Sequence, residues 1–477
     1  MPSFNLTLRR RLRAALSLLA AGAISSCAVK TPPDAAALRE QALPALQSPA
    51  QWAVPAPGVG AVVDGWLLAF NDDQLIAAVN EAIAHNADLQ VGAARVEQAQ
   101  LQARLAGAKL YPAVDVLARG GGKLSGDGSG IQGGVLTASW ELDLWARVRA
   151  GRAASAAQAA SAQADFAYAR ESIAALVAKS WILATELGLQ ADQARATLRA
   201  NEELVRLADE RARVGVGNQA DVFSARATVG GYRDLLRELE LGQANAIRAL
   251  ELLMGRYPAA AVTTSPRLPS YPGAVPAGLP SELLERRPDV IAAERRVAAA
   301  FHRIQEAKAA RLPVISLTTS VSSISSELFV LQDHSNPVWS VGANLLAPVF
   351  HGGALKTQVE IRTAEQKQAI AEYAVVGLRA FGEVEAALAA EIAARDREAI
   401  LAQAVGDTQQ ALTIIQTQFK IGSTDLRFVE QRQLAVASSL SALIRIQAEQ
   451  RVQRINLHLA LGGSFAVPTP PPDPGAR

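Results

Sequence analysis

Residues 139–150 read SWELDLWARVRA, and the pattern changes halfway. Trp140, Leu142 and Leu144 alternate with Ser139, Glu141 and Asp143, the period-2 signature of a strand with one apolar and one polar face. From Arg147 to about Arg213 there is no proline, alanine dominates, and apolar residues recur at three- and four-residue spacing, which predicts one continuous amphipathic helix. The fold has to explain why a strand with acids on one face runs directly into so long a helix.

Composition narrows the answer. Half of the 477 residues are hydrophobic but only 5% are aromatic, a balance that favours closely packed alanine-rich helices. Arg9, Arg10, Arg11 and Arg13 precede the apolar run Ala14 to Ile24, and ISSC ends in the single cysteine, Cys27. This is the layout of a signal peptide, and ISSC resembles a bacterial lipobox with Ile24 in place of the usual leucine. The resemblance implies cleavage before Cys27, a lipid on its sulfur, and, with Ala28 next, the outer membrane as destination. Removing residues 1–26 takes away four arginines and no acids, so the formal charge of +2 becomes −2, which argues against a nucleic-acid partner. One cysteine allows no disulfide within the chain. No run of 18 or more apolar residues follows the signal, so passage through a membrane has to use strands.

The sequence also repeats itself. At an offset of 201, Asp88, Arg95, Val96, Ala99, Ala108 and Pro112 meet Asp289, Arg296, Val297, Ala300, Ala309 and Pro313. At 205, Tyr168 and Ala169 meet Tyr373 and Ala374; at 207, Gly215, Val229, Leu250 and Gly255 meet Gly422, Val436, Leu457 and Gly462. Such order predicts two structural repeats. The expected organisation is a signal peptide at 1–26, an extended lipidated segment at 27–70, repeat 1 at 71–257, a Pro/Gly-rich linker at 258–280, repeat 2 at 281–463 and a Pro-rich tail at 464–477.

Each repeat reads as medium helix, strand, strand, long helix, long helix. The strands are expected at about 113–119, 135–144, 314–321 and 338–347, and in all of them polar and apolar residues alternate. A polar face of Ser, Thr, Asn, Asp and Glu suits a water-filled barrel in lipid, and an ordinary half-exposed sheet would alternate in the same way. Four strands cannot close a barrel, and an open edge cannot face lipid, so the barrel reading demands a symmetric oligomer, twelve strands from three chains. The helices bear on the choice too. A helix of about 65 residues is about 100 Å long, and each long helix turns at Gly215 and Gly217, or at Gly422, into a second one whose apolar stripe requires packing partners.

The stretches Trp66 with Phe70, NADLQVGAARVEQAQ from Asn86, SWELDLWARVR, LAPVFHGGAL from Leu346, RVGVGNQADVFSARA and FKIGSTDLRFVEQRQL together resemble the outer membrane factor family of TolC-like channels, in its NodT/OprM-type lipoprotein branch. The resemblance implies an α+β membrane protein: a homotrimer with a 12-stranded β-barrel, four strands per chain, continuing into a long α-helical barrel. It implies a passive exit duct for efflux, docked to a periplasmic adaptor and an inner-membrane pump, typically of RND type. It also makes the loops around GGGKLSGDGSGIQGG and 322–337 extracellular. A duct for type I protein secretion and a periplasm-spanning structural lipoprotein without a pore are the rival readings.

On that frame the hairpin turns hold the gate candidates Asp425, Asn218 and Asp221, and Arg213, Val214, Gly215, Gly217, Lys420, Ile421 and Gly422 resemble adaptor-docking positions. Plain turn chemistry, glycines in left-handed conformations and Asn218 and Asp425 as helix caps, is the competing account. Glu141, Asp143, Ser316, Thr318 and Asn344 are candidates to line the lumen, and Trp140, Trp145 and Trp339 to sit at the membrane interface. No catalytic or metal-binding pattern emerges. His85, His302, His334, His351 and His458 are scattered without ligand spacing, and GSGIQG at 128–133 matches GxGxxG only formally, because it opens no helix. No cofactor is expected beyond the lipid on Cys27, and the sequence reads as a non-enzyme.

Overall fold

The computed structural model describes residues 29–466 except 46–50, 56–59, 61, 120–131, 274, 279 and 326–337. The expected signal peptide, Cys27, most of both strand loops and most of the Pro-rich tail lie outside the described residues. α1 (Ala35–Ala42), a 3-10 turn at Trp66–Phe70, α2 (Asp73–His85) and α3 (Ala87–Ala108) lead to β1 (Ala113–Arg119) and β2 (Gln132–Leu142). α4 (Arg147–Arg213) and α5 (Gln219–Leu253) follow. The short α6 (Leu283–Arg286) then precedes α7 (Pro288–Ala309), β3 (Val314–Ser325), β4 (Val338–Leu346), α8 (Ala354–Lys420) and α9 (Leu426–Ala460). Two compact units result: one from residues within 1–46, 94–164 and 291–376, the other from residues within 47–93, 165–290 and 377–477.

The repeat is visible as equal lengths. α3 and α7 have 22 residues each, α4 and α8 have 67, and α5 and α9 have 35. The glycines that match at offset 207 share a backbone role: Gly215 and Gly422 have φ of 76° and 79°, Gly255 and Gly462 of 74° and 69°, the left-handed region that ends helices. One alignment needs correction. Both long helices begin and end at offset 207, so Tyr168 is equivalent to Val375 rather than Tyr373. A two-residue slip inside an unbroken helix would turn its faces by about 200°.

In the first unit the four strands form one antiparallel sheet in the order β1-β2-β3-β4. The boundaries differ from expectation at several ends. β2 starts three residues earlier, because Gly133 and Gly134 conceal a strand signal, and stops at Leu142, leaving Asp143 and Leu144 to the turn. β3 runs four residues further, to Ser325, and β4 ends at Leu346. The buried residues of this unit's helices are largely alanine, including Ala99, Ala150, Ala154, Ala292, Ala299 and Ala307, which lets backbones approach closely.

In the second unit Trp66, Phe70, Leu75, Val79, Ala178, Trp181, Ile182, Leu250 and Ile455 form the main core. α4 contributes heavily to it. By length and composition alone, one stretch of α4 is apolar enough to cross a membrane. The sequence expectation that no helix qualifies is corrected on this point, and Ala174, Ala175, Val177, Ala178, Trp181 and Ile182 of α4 spend their hydrophobicity on the core. A buried polar cluster fastens the interrepeat linker. The Arg454 guanidinium donates to Glu391 at 2.5 Å, to the Tyr271 hydroxyl at 2.8 Å and to the carbonyls of Pro272 and Gly273.

Candidate functional site

Strand pairing brings the polar positions into rows. Asp115 pairs with Thr137, Thr137 with Ser320 and Ser320 with Ser340, so one row crosses all four strands. The next holds Ser139, Thr318 and Gly342, and the next Glu141, Ser316 and Asn344. Four of the lumen candidates thus share one face. Hydroxyls link across it, with Ser320 Oγ 2.6 Å from Ser340 Oγ.

The opposite rows are apolar apart from Thr319, whose hydroxyl donates to the Ser340 carbonyl: Val114, Ala138, Thr319 and Val341; Val116, Leu136, Val321 and Trp339; Trp140, Leu317 and Ala343. This face is uncovered, with Val116 and Trp339 each 73% exposed and Val341 87%. A sheet that exposes its apolar face to water would aggregate; one in lipid gains from it. Trp140 and Trp145 donate their indole N–H to the carbonyls of Leu110 and Pro313, at 2.9 and 2.7 Å, just ahead of β1 and β3. Trp339 stands fully on the exposed apolar face.

The two acids of the opening stretch serve the strand-to-helix junction. Glu141 receives both Nε and Nη2 of Arg147, at 3.0 and 2.5 Å. Asp143 accepts the backbone N–H of Val148 and of Arg149 at 2.9 Å each, and its side chain is only 9% exposed. Asp143 therefore satisfies orphan donors at the start of α4, a role that the alternation did not announce. Ala146 bridges the two with φ of 58°, and its equivalent in the second repeat is Gly353, φ 86°.

In the second unit the two hairpin turns meet. Ala208, Val222, Phe419, Leu426 and Val429 form a small core, Arg211 stacks over the Phe419 ring at 4.8 Å, and Gly215, Gly217, Asn218, Asp221 and Asp425 line a cleft of about 320 Å³. The gate candidates differ in what holds them. Asn218 accepts the N–H of Asp221 at 2.8 Å and caps α5. Asp425 stands at the same place before α9 without any capping hydrogen bond from its side chain, its nearest cation being the exposed Arg427 at 3.7 Å. Burial pushes the Glu430 carboxyl above its ordinary range and Asp221 pushes the same way, against a hydrogen bond from Ser224. Around the turns Val214, Val216 and Ile421 are 65%, 66% and 75% exposed, beside Arg213 and Lys420.

A chain that pairs an amphipathic four-stranded sheet, apolar outward, with two hairpins of 67- and 35-residue helices has the build of a membrane duct for export. The model of the outer membrane efflux protein family matches residues 78–256 and 279–463, and the chain belongs to that family. Its relatives include the cation efflux system protein CusC of Escherichia coli O6:H1, 29% identical over 88% of this chain and 94% of CusC. The pyoverdine export outer membrane protein OpmQ of Pseudomonas aeruginosa is 30% identical over 88% and 92%. Among solved structures, the outer-membrane channel OprN superposes with a TM-score of 0.80 at 25% identity, over 88% of this chain and 98% of OprN. A structure of CusC gives 0.77 at 26%, over the same shares. The protein is an outer membrane efflux channel component that extends into the periplasm.

Proposed function

We propose that three copies close a twelve-stranded barrel and a helical tunnel, and that the assembly is a passive, non-enzymatic exit duct receiving its cargo from a periplasmic adaptor and an inner-membrane pump. The observation that carries this reading is the sheet. One of its polar rows spans all four strands, its apolar face is bare, and among the described residues β1 and β4 are unpaired edges. Open edges are not tolerated in hydrocarbon and four strands enclose nothing, so neighbouring copies are the natural partners for both.

The exposed Val214, Val216 and Ile421 around the glycine turns suit a docking partner that covers apolar tips. Asp425, unused as a cap, is available as one of three carboxylates around an axis, where like charges repel and attract cations. Cys27 is the point of lipid attachment, holding the chain in the outer membrane. The test is to purify the mature protein in detergent, determine its mass and record ion conductance in planar bilayers. A conducting trimer is expected; a stable monomer that needs no membrane would overturn the reading.

A further inference from the structure

We propose that the groove between α3 and the start of α4 holds the phosphodiester headgroup of an anionic phospholipid. The groove has a volume of about 740 Å³ and is lined by Gln100, Arg104, Tyr111, Arg152 and Gln163 over a floor of alanines. No carboxylate lines it. Neither Arg104 nor Arg152 has a carboxylate partner among the described residues, whereas Arg147 and Arg149, just ahead on α4, are paired with Glu141 and Asp143. Arg152 reaches α3 at Gly107. A Cβ there would stand 3.5 Å from both Cδ and Nε of Arg152, so the arginine stem lies directly against α3. The outcome is two guanidiniums, three side-chain polar groups and an apolar floor with nothing to neutralise the charge. Guanidinium forks match phosphate oxygens bidentately.

Position selects a lipid over a free ion. Tyr111 is two residues ahead of β1, and the Trp140 indole, on the apolar face of the sheet, donates to the carbonyl of the adjoining Leu110. Arg152 lies about 8 Å along α4 from Arg147, by helical rise. Arg104 lies about 6 Å before the end of α3, so both arginines stand on the helical turns next to the strands, where a headgroup layer would follow the hydrocarbon that the apolar face requires. Tyr111, 73% exposed, lines the groove and carries apolar ring surface to its strand end. The inference rests on the sheet lying in lipid.

The test uses the full-length protein in detergent, stripped of lipid and titrated with dioleoylphosphatidylglycerol or dioleoylphosphatidylcholine, with adducts read by native mass spectrometry. This readout does not involve conduction, so its failure and that of the duct reading are distinguishable. Wild type is expected to retain phosphatidylglycerol preferentially, with inorganic phosphate not competing. Each basic residue near an anionic membrane surface is worth about fivefold in affinity, so R104Q/R152Q is expected to weaken phosphatidylglycerol retention roughly 25-fold and leave phosphatidylcholine unchanged. R104K/R152K, which keeps both charges but not the forks, is expected to fall between wild type and R104Q/R152Q, and its residual preference shows that the groove folds. Equal retention of the two lipids by wild type, undiminished retention by R104Q/R152Q, or competition by phosphate alone would overturn the proposal. So would a variant that loses oligomeric mass at unchanged lipid retention, because the groove would then seat a neighbouring copy.

Discussion

Asp143 takes two donors from Arg149 on a single oxygen: its Oδ2 lies 2.9 Å from the backbone N and 3.1 Å from Nε. With the Val148 N–H on Oδ1, the carboxylate fixes the point where β2 becomes α4. Removing a capping carboxylate costs about 1 to 2 kcal/mol, and here the donors left behind are half-buried. D143A is therefore expected to lower the thermal midpoint, while D143N keeps part of the loss at bay by leaving one oxygen in place. Scanning calorimetry of the detergent-solubilised protein checks both; equal midpoints for D143A and wild type would show that the cap contributes nothing.

The same junction predicts a gain. Ala146 holds φ of 58° where the equivalent position carries Gly353. A residue with a Cβ in the left-handed region costs roughly 1 kcal/mol, so A146G is expected to raise the midpoint by a degree or more, less the added chain entropy of glycine.

The two hairpin turns separate capping from gating. Asn218 caps α5 through a 2.8 Å hydrogen bond, so N218A should cost about 1 kcal/mol and leave conductance as it was. Asp425 makes no capping bond, so D425A should leave stability within about 0.5 kcal/mol and raise single-channel conductance while lowering cation preference. If D425A destabilises and conducts like wild type, its role is structural.

His458 gives a pH dependence with a defined sign. It is 4% exposed, stacked on Trp66 at 5.8 Å, and neither ring nitrogen has a hydrogen-bond partner. Burial, reinforced by the positive Arg454, pushes its pKa down to about 3. The folded state therefore resists the proton that the unfolded chain accepts near pH 6.5. The stability tied to neutral His458 is fully present above that value and declines as pH falls towards about 3. H458F, which keeps an aromatic stack on Trp66, is expected to flatten that part of the stability profile in denaturant titrations between pH 7 and 4. Parallel profiles for the two proteins would count against it.

Much of the fold was legible because its signals are local. The switch from period 2 to an unbroken proline-free run located Arg147, and the glycines Gly215, Gly217 and Gly422 marked the hairpin turns. The rest depends on partners distant in sequence. Glu391 and Arg454, a 2.5 Å buried pair, look like any two helix-surface charges until α8 and α9 are side by side. Asp143 alternated correctly as a strand residue, and only the helix start beyond it claims the carboxylate. The serine-rich end of β3 carries too little apolar pattern to declare itself, yet it pairs with β2 as far as Ser325.

The orientation of the sheet yields the sharpest contrast. Val341 and Ser340 are neighbours on β4, yet the register puts Val341 in the apolar row with Val114 and Ala138 and Ser340 in the polar row with Asp115 and Thr137. An arginine facing hydrocarbon costs about 2 to 4 kcal/mol at mid-depth, whereas one facing a water-filled lumen is tolerated. V341R should therefore reduce the amount of heat-resistant oligomer recovered from outer membranes, and S320R, across the polar row from Ser340, should assemble normally while reducing cation conductance. If S320R blocks assembly and V341R does not, the two faces are reversed, and the bare apolar rows are buried against something other than lipid.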